Sequence, residues 1–161
     1  MRNIFKILTP FVGRKEKIRY LINLQSWAAT NKKYILMKVI NTLIYRKFHC
    51  DISPFSKFGS NVNFPHPVGI VIGEGVWIGN NVTIYQNVTL GRANGSVELY
   101  PTVQDNVVLY ANSMVLGDCT VKSGSTVGAY SLVMSDTREN SVWVGIPAKC
   151  VKPSKKKIEK A

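Results

Sequence analysis

The stretch that decides the fold spans residues 103–136 and reads VQDNVV-LYANSM-VLGDCT-VKSGST-VGAYSL-VMSD. An aliphatic side chain returns at every sixth position, and these positions are Val103, Leu109, Val115, Val121, Val127 and Val133. The fourth residue after each is nearly always small, and these residues are Val107, Ser113, Cys119, Ser125, Ser131 and Thr137. This period is neither the period of two of a strand nor the 3.6 of a helix. It is typical of a solenoid whose coils have three short faces.

The same period occurs upstream, in two further runs that begin at Ile52 and Ile72. Three hexads make a coil of 18 residues, so Val103 should stack on Val121 and Leu109 on Val127. Each face would place one large apolar and one small side chain in a narrow interior. The hexads therefore predict an all-β solenoid, a parallel β-helix of hexapeptide repeats. A β-sandwich is the alternative, and hexads in three separate runs disfavour it.

The ends of the chain differ from this core in pattern and in charge. Apolar residues recur at helical spacing over 16–29 and 34–48, so we expect a mostly helical N-terminal arm over 1–50. Thr30 or Asn31 is placed to cap the second helix. The β-helix domain is expected over 51–150 with a loop insert at 91–101, and a Lys-rich tail over 151–161.

The formal net charge of +12 is concentrated in the arm and the tail. The arm has eleven Lys or Arg against one Glu, whereas residues 51–148 have four bases and seven acids. Such a basic arm suits contact with a polyanion such as a membrane surface, and a solvated surface that keeps the protein in solution is an equal alternative. No nucleic-acid motif accompanies it, so we expect no nucleic-acid partner.

The cysteines and the apolar segments bear on the compartment. Cys50, Cys119 and Cys150 show no paired spacing and no zinc pattern, which favours a reducing cytoplasm and no metal. We find no signal-peptide pattern and no apolar run long enough to span a bilayer. The expected location is the cytoplasm, with peripheral contact at the inner face of the membrane through the basic arm.

His66 is the residue best placed for acid–base chemistry. The chain has two histidines, His49 and His66, and histidine is the usual base near neutral pH. His66 lies where the hexad frame slips by two residues, between Phe64 and Ile72. Departures from a repeat mark places where packing alone did not set the sequence. His49 adjoins the arm and fits a surface or packing role.

Four motifs resemble the serine acetyltransferase branch of the hexapeptide acyltransferases. They are Asp51-Ile52-Ser53-Pro54, His66-Pro67-Val68-Gly69-Ile70-Val71-Ile72-Gly73-Glu74, Val88-Thr89-Leu90-Gly91 and Gly145-Ile146-Pro147-Ala148-Lys149. The resemblance implies a left-handed parallel β-helix that forms a homotrimer with acetyl-CoA as donor. It also implies direct transfer, with His66 as the base that takes the acceptor proton and Asp51 as its orienting partner.

The resemblance carries over to further positions. Glu74 matches a family glutamate near the acceptor, although a turn residue on the solvent side is an equal alternative. The positions expected along acetyl-CoA are Ala111, Gly117, Ala129, Ser135, Lys149 and Lys152. Lys149, with Lys152 assisting, would pair with a phosphate of CoA.

Two departures from the family pattern bear on the acceptor. The aspartate that precedes the family's histidine is Pro65 here, and the Arg-His pair of the family loop is Leu99-Tyr100. An amino-acid zwitterion would lose both charge partners, and burying unpaired charge is costly. We therefore expect a sugar or polysaccharide-precursor hydroxyl as acceptor, in a layout similar to capsular and lipopolysaccharide O-acetyltransferases. Tyr100 and Trp77 would stack on the sugar ring, and Trp77 suits a trimer interface equally well.

Three alternatives remain. One is a serine O-acetyltransferase, and another is a non-catalytic trimeric scaffold with no affinity for acetyl-CoA. A γ-type carbonic anhydrase shares this prism, but its zinc site needs three histidines and the chain has two.

Overall fold

The computed structural model describes residues 13–93 and 99–153, without the side chains of Lys152 and Pro153. Helix α1 spans Arg14–Thr30 and helix α2 spans Tyr34–Phe48. Both helices expected from the spacing are present. Neither Thr30 nor Asn31 caps α2, because each side chain instead donates to a backbone carbonyl of α1 four residues earlier.

The described part of the chain after the arm consists of very short strands. In chain order they are β1 Asp51–Ile52, β2 Lys57–Phe58, β3 Val71–Ile72, β4 Trp77–Ile78, β5 Thr83–Ile84, β6 Thr89–Gly91, β7 Thr102–Val103, β8 Val108–Leu109, β9 Met114–Leu116, β10 Thr120–Val121, β11 Thr126–Val127, β12 Leu132–Val133, β13 Ser141–Val144 and β14 Lys149–Pro153. The first sheet is β1-β3-β6-β9-β12, the second β2-β4-β7-β10 and the third β5-β8-β11-β13-β14. Pairing is parallel except between β13 and β14. From β1 to β13, consecutive strands thus fall in different sheets, as in a three-sided β-helix.

The register is the one that the hexads predict. Val103 pairs with Val121, and Leu109 lies between Ile84 and Val127. Ile52 pairs with Ile72 despite the two-residue slip between their coils. The two-residue slip therefore leaves the ladder intact, and the strands on both sides of the insert keep their parallel partners.

The interior combines one large and one small side chain on each face. The aliphatic hexad residues are buried, and so are the small polar residues beside them, Ser113, Ser125, Ser131 and Thr137. Larger side chains at these four positions would overfill an interior packed at crystal-like density. The narrow interior thus explains why each hexad has one large and one small inward-facing residue.

Asparagines support two corners of the prism. Asn81 and Asn106 adopt left-handed backbone conformations with φ of 55° and 59°, which asparagine tolerates better than most residues. The Asn81 side-chain amide donates to the Asn106 side-chain oxygen at 3.3 Å, and Asn87 donates in the same way to Asn112 at 3.1 Å. These ladders connect one coil to the next.

The helical arm lies against the first coil. The buried face of α1 includes Ile18 and Ile22, and that of α2 includes Ile44 and Phe48. The Gln25 side-chain amide donates to the carbonyl of Ile52 at 2.9 Å, in the edge strand of the first sheet. The arm therefore covers part of an edge that would otherwise be open to pairing.

The predicted segments at both chain ends fall partly outside the described residues. Residues 1–12 and 154–161 lie outside them, and residues 151–153 belong to β14. Within the described ranges, no helix is long and apolar enough to cross a membrane.

The packing of the prism predicts the effect of truncating Leu109, which is fully buried between two coils. We expect Leu109→Ala to lower the free energy of unfolding by about 2–5 kcal/mol, because it leaves a cavity that the ladder prevents from closing. Urea denaturation measures the loss. Val108→Ala, at a half-exposed position of the same strand, is the control, and an equal loss in both variants would contradict the interior assignment.

Candidate active site

The candidate site residues lie at two different corners of the prism. The chain passes from the third sheet to the first at what we call the histidine corner, residues 65–70, 85–88, 110–113 and 128–131. It passes from the first sheet to the second at the insert corner, residues 73–76, 91–93, 99–101, 117–119 and 134–137. The whole first sheet separates these two corners within one chain.

His66 is exposed at the histidine corner, within the two-residue slip. Its ring centroid lies 6.2 Å from that of Tyr85. Tyr85 in turn stacks on Tyr110 of the next coil, with centroids 5.2 Å apart and planes 9° from parallel. The imidazole is therefore supported from below by an aromatic column and open to solvent on its other side.

Asp51 lies close to the same corner. It opens β1, pairs with Val71 and donates its backbone N–H to the Ile70 carbonyl at 2.9 Å. Its side chain is exposed, and no hydrogen bond joins it to His66 among the described residues. The structure thus places the two side chains on neighbouring segments, and their pairing stays a prediction.

Small residues continue the histidine corner towards the C-terminal coils. Ala111 and Ala129 occupy successive coils below Gln86, since Asn112 bonds to Gln86 and Tyr130 to Ala111 through the backbone at 3.1 Å. Lys149 opens β14 opposite Val144, at the end of the third sheet. Five strand spacings separate the coil of His66 from β14, or about 24 Å at 4.8 Å per strand. His66, Ala111, Ala129 and Lys149 therefore share one strip of the surface.

The insert corner holds the remaining predicted residues. The Tyr100 ring packs on Gly73 and Gly75, where any Cβ would collide with it. The guanidinium of Arg92 lies 5.5 Å from the centre of that ring. Glu74 is exposed between the two glycines. Tyr100 is thus a packed residue of this corner and has little free face for stacking on a ligand.

The other predicted residues are distributed as follows. Gly117 has a φ of 86° and lies beside Ala93 at the insert corner, and Ser135 occupies the equivalent place one coil later. Trp77 points outward from β4 in the second sheet and is exposed. The side chain of Lys152 lies outside the described residues. The structure therefore does not bring Glu74, Tyr100 or Trp77 to His66 within one chain.

The interior cysteines do not suit a covalent route. Cys119 is buried, and burial, with smaller contributions from the carboxylates of Asp136 and Asp118, raises its thiol pKa to about 11. Cys50 is buried as well, and burial raises its pKa. Thiols with such pKa values are protonated near neutral pH and are poor nucleophiles. Across the described residues, no group of three or more His, Cys, Asp and Glu is arranged to hold a metal.

Sequence reasoning missed three residues of these corners. Tyr85 and Tyr110 each follow an aliphatic hexad residue, so the period itself places them in one column facing outward. Arg92 is the first residue after β6 and the one base of the described insert. An aromatic pair repeated in register was the available signal.

Relatives of known activity identify the family of this chain. It is 32% identical over 160 residues to serine acetyltransferase from Staphylococcus epidermidis, an alignment that covers 99% of this chain and 74% of the relative. This chain belongs to the serine acetyltransferase family. The enzyme from Bacillus licheniformis is 36% identical over 130 residues, which is 80% of this chain and 60% of that one. No protein-family model matches the chain.

Solved structures of the family share the fold. A truncated serine acetyltransferase apoenzyme superposes with a TM-score of 0.82 and 29% identity over 87% of this chain. A complex of serine acetyltransferase with CoA gives 0.76 and 30% over 81%. The expected left-handed parallel β-helix with a short helical arm is confirmed. The chain spans 59% and 54% of the length of these two proteins.

The expectation of a sugar or polysaccharide hydroxyl as acceptor is wrong. Relatives at 32–36% identity over most of the chain are serine acetyltransferases, and the closer likeness to capsular and lipopolysaccharide enzymes is not shown. The charges missing at Pro65 and Leu99-Tyr100 led to that expectation. In the structure, Arg92 is a further charge at the insert corner, and it lies outside the compared motifs.

The different burial of the three cysteines predicts that one of them, Cys150, reacts much faster with thiol reagents. Cys150 is exposed, whereas Cys50 and Cys119 are buried. At pH 8 the Cys119 thiol, with a pKa of about 11, is only about 0.1% thiolate, which lowers its rate of labelling further. We expect iodoacetamide to modify Cys150 alone in the folded protein and all three cysteines in urea, as read by mass spectrometry. Labelling of Cys119 at the rate of Cys150 would contradict the interior assignment.

Proposed function

We propose that this chain is an acetyl-CoA-dependent serine O-acetyltransferase in which His66 promotes direct transfer. The observation that carries the proposal is the exposed imidazole at the head of a strip that leads through Ala111 and Ala129 to Lys149. Solved relatives include serine acetyltransferase in complex with CoA and the soybean enzyme in complex with serine. Together they support acetyl-CoA as donor and serine as acceptor.

The reaction needs one group that acts first as a general base and then as a general acid. The serine hydroxyl is too weak an acid to ionise unaided, so His66 takes its proton as the oxygen attacks the thioester carbonyl. The tetrahedral intermediate collapses with cleavage of the carbon–sulfur bond. The imidazolium returns the proton to the departing CoA sulfur, which leaves O-acetylserine and CoA. Asp51 would hold the imidazole in the tautomer that accepts the proton and stabilise the imidazolium.

The donor is assigned to the strip between His66 and Lys149. Ala111 and Ala129 leave room for the pantetheine arm to approach the backbone. The Lys149 ammonium, with Lys152 assisting, would pair with a phosphate of CoA, and charge-assisted contacts of this kind are among the stronger hydrogen bonds. Gly117 and Ser135 lie at the insert corner and would contact the donor only from a neighbouring copy.

The division of the site between two corners supports a homotrimer. Glu74, Tyr100 and Gly117 are separated from His66 by the full width of the first sheet in one chain. A threefold arrangement would bring the insert corner of one copy against the histidine corner of the next. Exposed Trp77, on the second sheet beside the insert corner, would then lie near the contact between copies. We also propose the cytoplasmic location expected from the unpaired cysteines.

Arg92 and Glu74 are our candidates for the charges of the serine zwitterion. Glu74 is exposed, and its negative charge suits the ammonium group of serine. The Arg92 guanidinium is held over the Tyr100 ring, and a planar guanidinium matches a carboxylate in two parallel hydrogen bonds. These residues would replace the partners missing at Pro65 and Leu99.

The histidine assignment is tested by two matched variants. We expect His66→Asn to lower kcat for CoA release with L-serine by about 10²–10⁴-fold, the usual contribution of general-base catalysis. His49→Asn is the control, because His49 lies at the end of α2 with a φ of 53°, a conformation that asparagine tolerates. The assay follows free CoA with a thiol reagent, and calorimetry confirms that both variants still bind acetyl-CoA.

Two outcomes would overturn the proposal. Saturable acetyl-CoA binding without serine-dependent CoA release would reject serine as the acceptor. Absence of acetyl-CoA binding up to millimolar concentration would reject the acyltransferase function and favour a trimeric scaffold.

The acceptor assignment is tested at Arg92. We expect Arg92→Gln to raise the KM for L-serine at least 10-fold while the dissociation constant of acetyl-CoA stays within twofold, because one carboxylate contact is lost. Lys122→Gln, which removes a base from the second sheet, is the control. An unchanged KM for serine in Arg92→Gln would exclude this role.

A further inference from the structure

The outer side of α2 carries an apolar stripe that stays exposed among the described residues, 13–93 and 99–153. Ile35, Val39 and Leu43 recur at intervals of four residues and are 83%, 51% and 48% exposed, and Leu36 beside them is 40% exposed. The opposite face of the same helix, with Ile40 and Ile44, already packs on the core. Side chains four residues apart lie on one helix face, so these residues form one continuous surface. We call it the arm stripe.

Two aromatic side chains and two lysines border the arm stripe at its N-terminal end. Trp27 and Tyr34 are 52% and 54% exposed. They line a shallow concavity together with Lys32, Lys33 and the first residues of the stripe. Tryptophan and tyrosine combine an apolar ring with a polar edge, which suits them to a boundary between water and lipid.

The charge around the arm stripe has a single sign. The chain has no Asp or Glu between Glu16 and Asp51, and the bases in that interval are Lys17, Arg19, Lys32, Lys33, Lys38, Arg46 and Lys47. Helical spacing places Lys38 and Lys47 on either side of the stripe and Arg46 at its C-terminal end. Long basic side chains can keep their charge in the headgroup region while their stems lie along apolar surface.

We propose that the arm stripe docks the protein on the surface of an anionic phospholipid bilayer. An apolar helix face bordered by aromatic residues and bases is the pattern of a helix that lies in the membrane interface. Bilayer negative charge complements every base of the segment. Two copies that paired through this same stripe would instead bring their bases together without an acid in either segment. This inference is independent of the acceptor assigned above.

The test is cosedimentation of the full chain with large unilamellar vesicles. We expect saturable binding to equimolar phosphatidylglycerol and phosphatidylcholine, at least tenfold weaker binding to phosphatidylcholine alone, and weakening by 0.5 M salt through screening. Ile35→Glu and Val39→Glu should each lower the partition coefficient at least tenfold. Both positions are exposed, so the fold should tolerate the change, and circular dichroism checks this.

The matched control is Val151→Glu, which makes the same change at an exposed apolar position of β14, away from the arm. It should bind vesicles within about twofold of the unchanged chain. The double variant Lys38→Gln/Arg46→Gln tests the charge without touching an apolar side chain, and it should also bind anionic vesicles more weakly.

Equal binding by Val39→Glu and Val151→Glu, or no preference for anionic lipid, would overturn the proposal. A third result would also overturn it: the chain does not bind vesicles, and Ile35→Glu forms a smaller assembly in sedimentation equilibrium. That result would show that the arm stripe contacts a second copy of the chain.

Discussion

The in-register hydrogen bonding of each coil to the next is the constraint on which the structure depends. Each short strand bonds to the equivalent strand one coil away, so a side chain that points inward always lies on another inward side chain. The column of Ile84, Leu109 and Val127 is one result. Since three faces enclose a narrow interior, each face can hold only one large and one small side chain. The six-residue period follows from this geometry.

The same register organises the outer surface. Tyr85 and Tyr110 stack because both directly follow interior residues that are paired through the ladder. The candidate functional residues lie where the chain departs from the six-residue period, at the slip that carries His66 and in the insert that includes Arg92. Extra residues can bulge out at a corner without breaking coil-to-coil pairing. In a solenoid of this kind, insertions at the corners can therefore introduce reactive side chains, while the strand pairing on the faces stays the same.

The N-terminal end of the prism poses a separate problem, because its first coil has no preceding coil to bond to. The arm lies against this edge and supplies the Gln25 side-chain amide to the Ile52 carbonyl. The oxygen of that amide, Oε1, is buried without a hydrogen-bond partner among the described residues. Each helix turns one apolar face inward, with Ile18 and Ile22 of α1 and Ile44 and Phe48 of α2 buried. The outer face of α2 is consequently left with apolar side chains that the fold itself does not use.

The sequence by itself determined the β-helix, its register, the two helices and the singling out of His66, because a strict period fixes which residues stack whatever surrounds them. Family motifs added the prediction of which residues bind the donor. Tertiary structure alone decided which residues share a corner: it separated Glu74 and Tyr100 from His66, turned Trp77 outward, and packed Tyr100 on two glycines. The acceptor prediction from sequence was wrong for a related reason. A motif records which residue stands at a position of the chain, whereas recognition of a charged acceptor depends on where charges lie in space.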